Sequence, residues 1–155
     1  HFENQPEVRT FTTEPLAAPV EWTGKVRADL WVASTARDTD FIVRLSDVYP
    51  DGRSILIMDY IRRARFRQGW EKEVLLEPGR PARVSFDIGS LSQIFNRGHR
   101  IRVTIASTGA PLYEPNPQTG KPLTLDFPPD AVAATNTVFH DRARPSRIWA
   151  PVSGP

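Results

Sequence analysis

Three groups of side chains in this sequence could carry chemistry: the histidines, a pair of aspartates two residues apart, and a dense run of arginines. The histidines are His1, His99 and His140. A nucleophilic serine needs a histidine beside it and a carboxylate to orient that histidine. In the hydrolases that use a sharp strand-to-helix elbow, the serine sits in G-x-S-x-G. No such elbow occurs; Gly89-Ser90-Leu91-Ser92 comes nearest and lacks the second glycine. His99 opens a strand between Gly98 and Arg100, where a packed or hydrogen-bonded imidazole is expected rather than a general base. His140 precedes Asp141 and reads as a local pair.

Asp38 and Asp40 lie in Asp38-Thr39-Asp40-Phe41, and alternate residues of a strand share a face. Two aspartates so placed could bind calcium or act as an acid and base pair. No third acidic ligand follows within a few residues, so the simpler expectation is that one caps a loop and the other pairs with an arginine. The run Arg62-Arg63-Ala64-Arg65-Phe66-Arg67 is the sharpest local charge feature. A nucleic-acid site would need a continuous basic face interleaved with stacking aromatics. Tyr60 and Phe66 fall instead on the side of the strand that a core requires. Arg63, Arg65 and Arg67 form a row on the other side, suited to pairing with acids of neighbouring strands or of another domain.

The charge balance agrees. Twenty bases against eighteen acids give a net charge of +2, and the pI of 9.3 reflects composition: seventeen of the bases are arginine. Arginine stays charged and pairs bidentately, so a weak net charge built from it predicts internal pairing more than a steering field. Neither nucleic acid nor a membrane is expected as a partner; the longest run of large apolar residues is Ile55 to Met58. With no cysteine, disulfides and thiolate sites are excluded. No glycine-rich phosphate loop is present, and neither metal nor cofactor is expected. Four tryptophans, Trp22, Trp31, Trp70 and Trp149, raise a second possibility. A carbohydrate-binding module would present at least two of them in a shallow groove, whereas aromatics on strands more often serve a core or an interface.

The elements that must position these groups are strands. In 155 residues there is room for one domain, and fifteen prolines disfavour helix interiors and central strands alike. Alternation with period two recurs: Val26, Ala28, Leu30 and Val32; Phe41, Val43 and Leu45; Leu56, Met58, Tyr60, Ala64 and Phe66, within a strand drawn from Ile55 to Arg67; Ala82, Val84, Phe86 and Ile88; His99, Ile101, Val103 and Ile105. Short extended pieces are expected near Val8 to Phe11, near Val138, and from Arg147 to Val152. Ser90 with Gln93 has capping-box spacing, and Leu91, Ile94 and Phe95 would share one face of a helical turn stopped by Gly98. From Thr108 to Pro129 the pattern lapses and six prolines gather, which marks a long loop of functional or interface character. The expected architecture is all-β, a two-layer antiparallel β-sandwich of jelly-roll topology. It forms one domain over residues 1–155, with its core from about 11 to 152.

Taken together, the motifs resemble the C-terminal, non-catalytic domain of the cocaine esterase and X-Pro dipeptidyl-peptidase family of serine hydrolases. That family also includes the α-amino acid ester hydrolases and some glutaryl acylases. The resemblance runs in order through FTTEPL (Phe11 to Leu16), TGKVRADLWVAS (Thr23 to Ser34) and DTDFIVRLSDVYPDGRS (Asp38 to Ser54). It continues through RRARFR, EPGRP (Glu77 to Pro81) and IFNRGHRIRVTIAS (Ile94 to Ser107), and ends with NPQTG (Asn116 to Gly120) and HDRARPSRIWAPV (His140 to Val152). Tyr60 departs from it, standing where the family has glycine.

The resemblance implies a jelly roll similar to galactose-binding-like domains, packed against an α/β-hydrolase domain of the same parent chain. The triad would lie in that hydrolase domain, so no catalytic residue carries over to this sequence. Asp38, Asp40, Asp47, Arg63, Arg65, Arg67, His99 and Arg100 are then expected to serve structural or interdomain pairing. The resemblance is compatible with a homo-oligomer, and with a location in the cytoplasm or outside the cell along with the parent enzyme.

Overall fold

The computed structural model describes residues 2–122 and 128–153. Its strands are β1 (Arg9–Thr12), β2 (Val20–Ser34), β3 (Asp40–Val48), β4 (Ser54–Arg63), β5 (Ala82–Phe95), β6 (Arg100–Ala106), β7 (Asn136–Phe139), β8 (Arg147–Trp149) and β9 (Val152–Ser153). One sheet has the order β1-β6-β3-β4; in the other, β5 pairs one side of β2 while β7, β8 and β9 share its other side. All these pairings are antiparallel. The two sheets face each other as a β-sandwich.

The period-two faces of β2 and β5 become the core. Val26, Ala28, Leu30 and Val32 pack against Val84, Phe86 and Ile88, and meet Phe41, Val43 and Ile105 of the opposite sheet. A second cluster of Leu45, Phe95 and Ile101, flanked by Trp22, closes one end. The ring of Tyr60 lies 6.1 Å from Phe86 where β4 crosses β5. At the opposite seam, Phe11 of β1 meets His140 edge-on at 5.6 Å.

Three features depart from the sequence-based expectation. The helical turn at Ser90–Gln93 does not form: residues 82–95 make one strand, paired with β2 along its whole length. The fifteen-residue β2 offers ladder partners to residue 95, and a single helical turn would forfeit them. Register shifts at Val26/Arg27, opposite Gly89. Gly89 has φ of +147°, and a Cβ there would sit 3.0 Å from the Met58 methyl, so glycine lets the two sheets close at this point.

The strand drawn from Ile55 to Arg67 stops at Arg63, and Ala64–Phe66 is a 3-10 turn. The amide of Ala64 donates to Thr39 and that of Arg65 to the Asp38 carboxylate. Ala64 thus enters the core while Arg65 turns inward, away from Arg63 and Arg67. Within β4 a bulge opposite Leu45/Ser46 skips Ile57. Leu56 therefore changes face and is half exposed, while Met58 still packs inward.

Strand β3 is buried on both faces, with only Arg44 partly accessible. Its outer face is covered by the N-terminal turn Phe2–Asn4 and by the proline-rich loop. The Arg44 guanidinium stacks 3.9 Å from the Phe2 ring, and Glu3 accepts hydrogen bonds from Ser54, Ser46 and Arg102. Gly109 lies so close to Ile42 and Tyr113 that a Cβ would come within 2.8 Å of both.

Candidate functional site

The loops entering β3, leaving β4 and following β6 meet at one end of the sandwich around a knot of buried charge. Asp38 and Arg65 are both fully buried, with Arg65 Nε donating to Asp38 Oδ2 at 2.7 Å. The other oxygen, Oδ1, accepts the Arg65 backbone N–H at 2.9 Å. Asp40 takes a bidentate grip from Arg63, at 2.9 Å to Oδ1 and 3.2 Å to Oδ2. Asn116 spans the two acids: its amide nitrogen donates to Asp38 at 3.0 Å and to Asp40 at 2.9 Å. Its own carbonyl oxygen accepts from the backbone of Gln118. Arg65 reaches further, to Glu73 at 3.2 Å and to the carbonyl of Lys121 at 2.8 Å.

Guanidinium and amide donors therefore occupy both carboxylates, the reverse of what a cation site offers. Burial works against the charge on Arg63, but the hydrogen bond and field of Asp40, with Asp38 and Glu114 behind, hold it above its ordinary pKa. Arg67 lies beside this knot and binds carbonyls instead of acids: those of Val74, Ala64 at 3.2 Å and Leu75 at 3.2 Å. Burial pulls its pKa below the ordinary value. Backbone bonds tie the same loops together, from Leu76 to Arg37 at 2.7 Å and from Val74 to Arg65 at 2.8 Å.

The remaining candidates lie elsewhere. Asp47 and His99 continue the inward rows of β3 and β6 to the opposite end, about 20 Å away by strand rise. There Nδ1 of His99 lies 2.9 Å from Asp47 Oδ1, and Tyr49 stacks on the imidazole at 4.3 Å. Arg100 donates to the carbonyl of Thr13 and faces Glu14 at 3.6 Å on the surface. His140 does not pair with Asp141, whose carboxylate is held by Arg144 at 2.8 Å and by the backbone amides of Ala143 and Arg144. Asn116, which bridges the two acids, was not singled out by sequence reasoning. Its signal was the NPQTG motif inside the proline-rich loop.

Above the charge knot the loops show apolar surface. A shallow pocket of about 270 Å³ is lined by Phe66, Trp70, Tyr113, Ile61, Arg63 and Glu114. Trp70 is 60% exposed, and Arg62 stacks 4.2 Å from its ring. Leu112 is 68% exposed, as is 48% of Val132, whose amide is tied to Pro117. The other exposed tryptophan, Trp149, belongs to β8. It lies across β2 from β5, whereas Trp70 follows β4 on the β5 side, so the two do not share a groove. Among the described residues no group of three metal-ligating side chains forms, and no helix is long and apolar enough to cross a membrane.

Residues 1–149 match the family model described as the X-Pro dipeptidyl-peptidase C-terminal non-catalytic domain. The chain is 38% identical to a cocaine esterase of a Rhodococcus species over 146 residues, covering 94% of this chain and 25% of that protein. A crystallised alpha-amino acid ester hydrolase superposes with a TM-score of 0.94 at 32% identity, over 99% of this chain and 27% of that one. An aminopeptidase from a marine sediment archaeon, Thaumarchaeota, gives 0.95 at 28% identity, again over 99% of this chain and 27% of its own. The chain spans about a quarter of the length of these relatives. On sequence and fold alike, the chain belongs to the family of X-Pro dipeptidyl-peptidase C-terminal non-catalytic domains.

Proposed function

We propose that this domain packs, through the loop end of its sandwich, against an α/β-type serine hydrolase domain of the same parent chain. There it would buttress the catalytic domain, wall part of its substrate cleft and support its assembly. The parent would cleave an ester or an amino-terminal peptide bond, as the names of the relatives suggest for those proteins. The observation that carries this reading is the pairing of opposites at one end. Trp70, Leu112 and Val132 are exposed on loops, and those loops are anchored from beneath by the Asp38–Arg65 and Asp40–Arg63 pairs. Exposed apolar clusters rimmed by polar groups mark interaction sites, and a docking surface gains from being held in shape before contact. The buried acids and arginines are thus assigned a structural role within the domain.

The test uses the full-length hydrolase. Amides in 66–72 and 109–114 should exchange slowly with solvent despite lying on exposed loops. Trp70→Glu with Leu112→Glu should speed that exchange and lower the thermal midpoint of the catalytic domain. Unchanged exchange and an unchanged midpoint in the double variant would remove this end of the sandwich as the docking face.

A further inference from the structure

The seam opposite the β4–β5 contact is not closed. Between β1 and β6 on one sheet and β7 and β8 on the other lies a cavity of about 390 Å³. The pairings fix which side chains face it, because residues opposite each other on antiparallel strands share a face. Phe11 pairs with Val103, which stands in one row with Ile101 and Ile105. Val138 pairs with Val32, and Ile148 with Ala28. Since Ala28, Val32 and Ile105 belong to the core, all of these side chains point inward and give the cavity apolar walls, with Leu30 buried at its floor. Its size falls in the range of small-molecule sites, which are mostly apolar with a few placed polar groups.

The charges of this seam point the other way. Arg147 stands opposite Asp29, the acid that Arg83 grips on the outer face of that sheet. Thr12 stands opposite Arg102 and accepts from it, again on the outside. Two hydroxyls at the mouth are engaged with backbone. Ser146 Oγ donates to the carbonyl of Phe139 and accepts from the amide of Trp31, and Thr13 Oγ1 accepts from the amide of Ile101. His140 differs. It follows Phe139, which pairs with the outward Trp31, so it turns inward, where its ring meets Phe11 edge-on at 5.6 Å. Its ring nitrogens make no hydrogen bond among the described residues. An ionised head in this cavity would lose its water without gaining a countercharge. A neutral hydroxyl finds in a neutral imidazole both a donor and an acceptor.

We propose that this inter-sheet cavity binds an uncharged amphiphile, a medium-chain alcohol or an alkylphenol, with its apolar body against Leu30, Val103 and Ile148 and its hydroxyl at His140. The site is independent of the docking face, being on the other side of the sandwich from Trp70. Trp22 lines it as well, so occupancy should alter tryptophan emission.

1-Octanol and 4-propylphenol serve as aliphatic and aromatic probes, titrated into the protein by fluorescence and by calorimetry at about pH 8, where a carboxylic acid is ionised. Octanoate is the charged control, and propylbenzene is the control without a hydroxyl. Both hydroxyl probes should saturate one site per chain, and the emission change caused by 1-octanol should disappear in Trp22→Phe. Octanoate should bind at least about tenfold more weakly than 1-octanol, because its charge has no partner in the cavity. His140→Phe, a surface change that keeps a ring against Phe11, should weaken 4-propylphenol about two- to tenfold, the worth of one hydrogen bond. It should leave propylbenzene unaffected. Val138→Phe, checked for native circular dichroism, should abolish binding of every probe by filling the cavity. The proposal is overturned if neither hydroxyl probe saturates, if octanoate binds as tightly as 1-octanol, or if neither His140→Phe nor a folded Val138→Phe alters the affinity for 4-propylphenol.

Discussion

The buried pair of Asp38 and Arg65 offers the most exacting test of how this domain holds its loops. Both side chains are fully buried and meet at 2.7 Å, and Asp38 also accepts the Arg65 amide and the Asn116 side chain. Removing one partner strands the other charge out of water, which costs about 3–5 kcal/mol. Removing both does not, because no uncompensated charge remains. Asp38→Asn and Arg65→Met should therefore each be severe, while the double variant should lose much less than their sum. Near 150 residues each kcal/mol moves the midpoint by about 2–4 °C, so each single change should lower it by roughly 6–20 °C. Urea unfolding of the chain and its three variants, followed by circular dichroism, closes the double-mutant cycle. A coupling of at least about 2 kcal/mol is expected from a desolvated pair. Asp51→Asn is the internal control: Asp51 and Arg53 also meet at 2.7 Å, but with side chains 55% and 65% exposed, and their loss should leave the midpoint in place. A cycle coupling below about 1 kcal/mol, or a midpoint for Asp38→Asn equal to that of Asp51→Asn, would refute the argument that burial sets the strength of this contact.

Two further predictions concern the same physics. Asn116→Ala removes two donors to buried carboxylates and should cost about 2–4 kcal/mol in the same assay; combined with Asp38→Asn, the losses should not add. Asp29 is held below the ordinary carboxylate pKa, chiefly by the hydrogen bond from Arg83 and, against the opposing effect of burial, by the bond from Ser85. Its folded value is depressed, so its contribution is present above the unfolded value of about 3.9 and disappears as pH falls through the folded value. Urea midpoints measured from pH 7 downward should show Asp29→Asn less stable than the parent at neutral pH, with the gap narrowing in acid. A gap that widens there would reverse the sign of the linkage.

Much of the fold was legible because strand periodicity is a local property. Val26, Ala28, Leu30 and Val32 alternate with Arg27, Asp29 and Trp31, and alternation alone sends the first set inward wherever the strand pairs. The same reasoning failed where pairing partners overrode local signals. Ser90 and Gln93 have helix-start spacing, yet β2 extends far enough to keep them in a strand. Leu56 follows the alternation of its neighbours but is turned outward by a bulge set by β3.

The candidate site was legible only in its ingredients. An aspartate pair and an arginine run announce ion pairs by type, and their identity within an ordered set of motifs pointed to the family. Which aspartate meets which arginine is another matter. Arg65 lies 27 residues from Asp38, and Asn116 lies 78 residues from it. The row of Arg63, Arg65 and Arg67 expected on one strand face is broken by the turn at Ala64–Phe66, which sends one arginine into the interior and another onto loop carbonyls.

By itself, then, the sequence determined that this chain is a β-sandwich without a thiol or a G-x-S-x-G nucleophile elbow, because composition and period-two patterning act residue by residue. Only the tertiary structure decided that its strongest charges are buried under a set of apolar loops, and that the β1–β8 seam stays open. Those outcomes depend on which distant segments arrive at the same place, and a buried charge keeps its position only if its partner arrives with it.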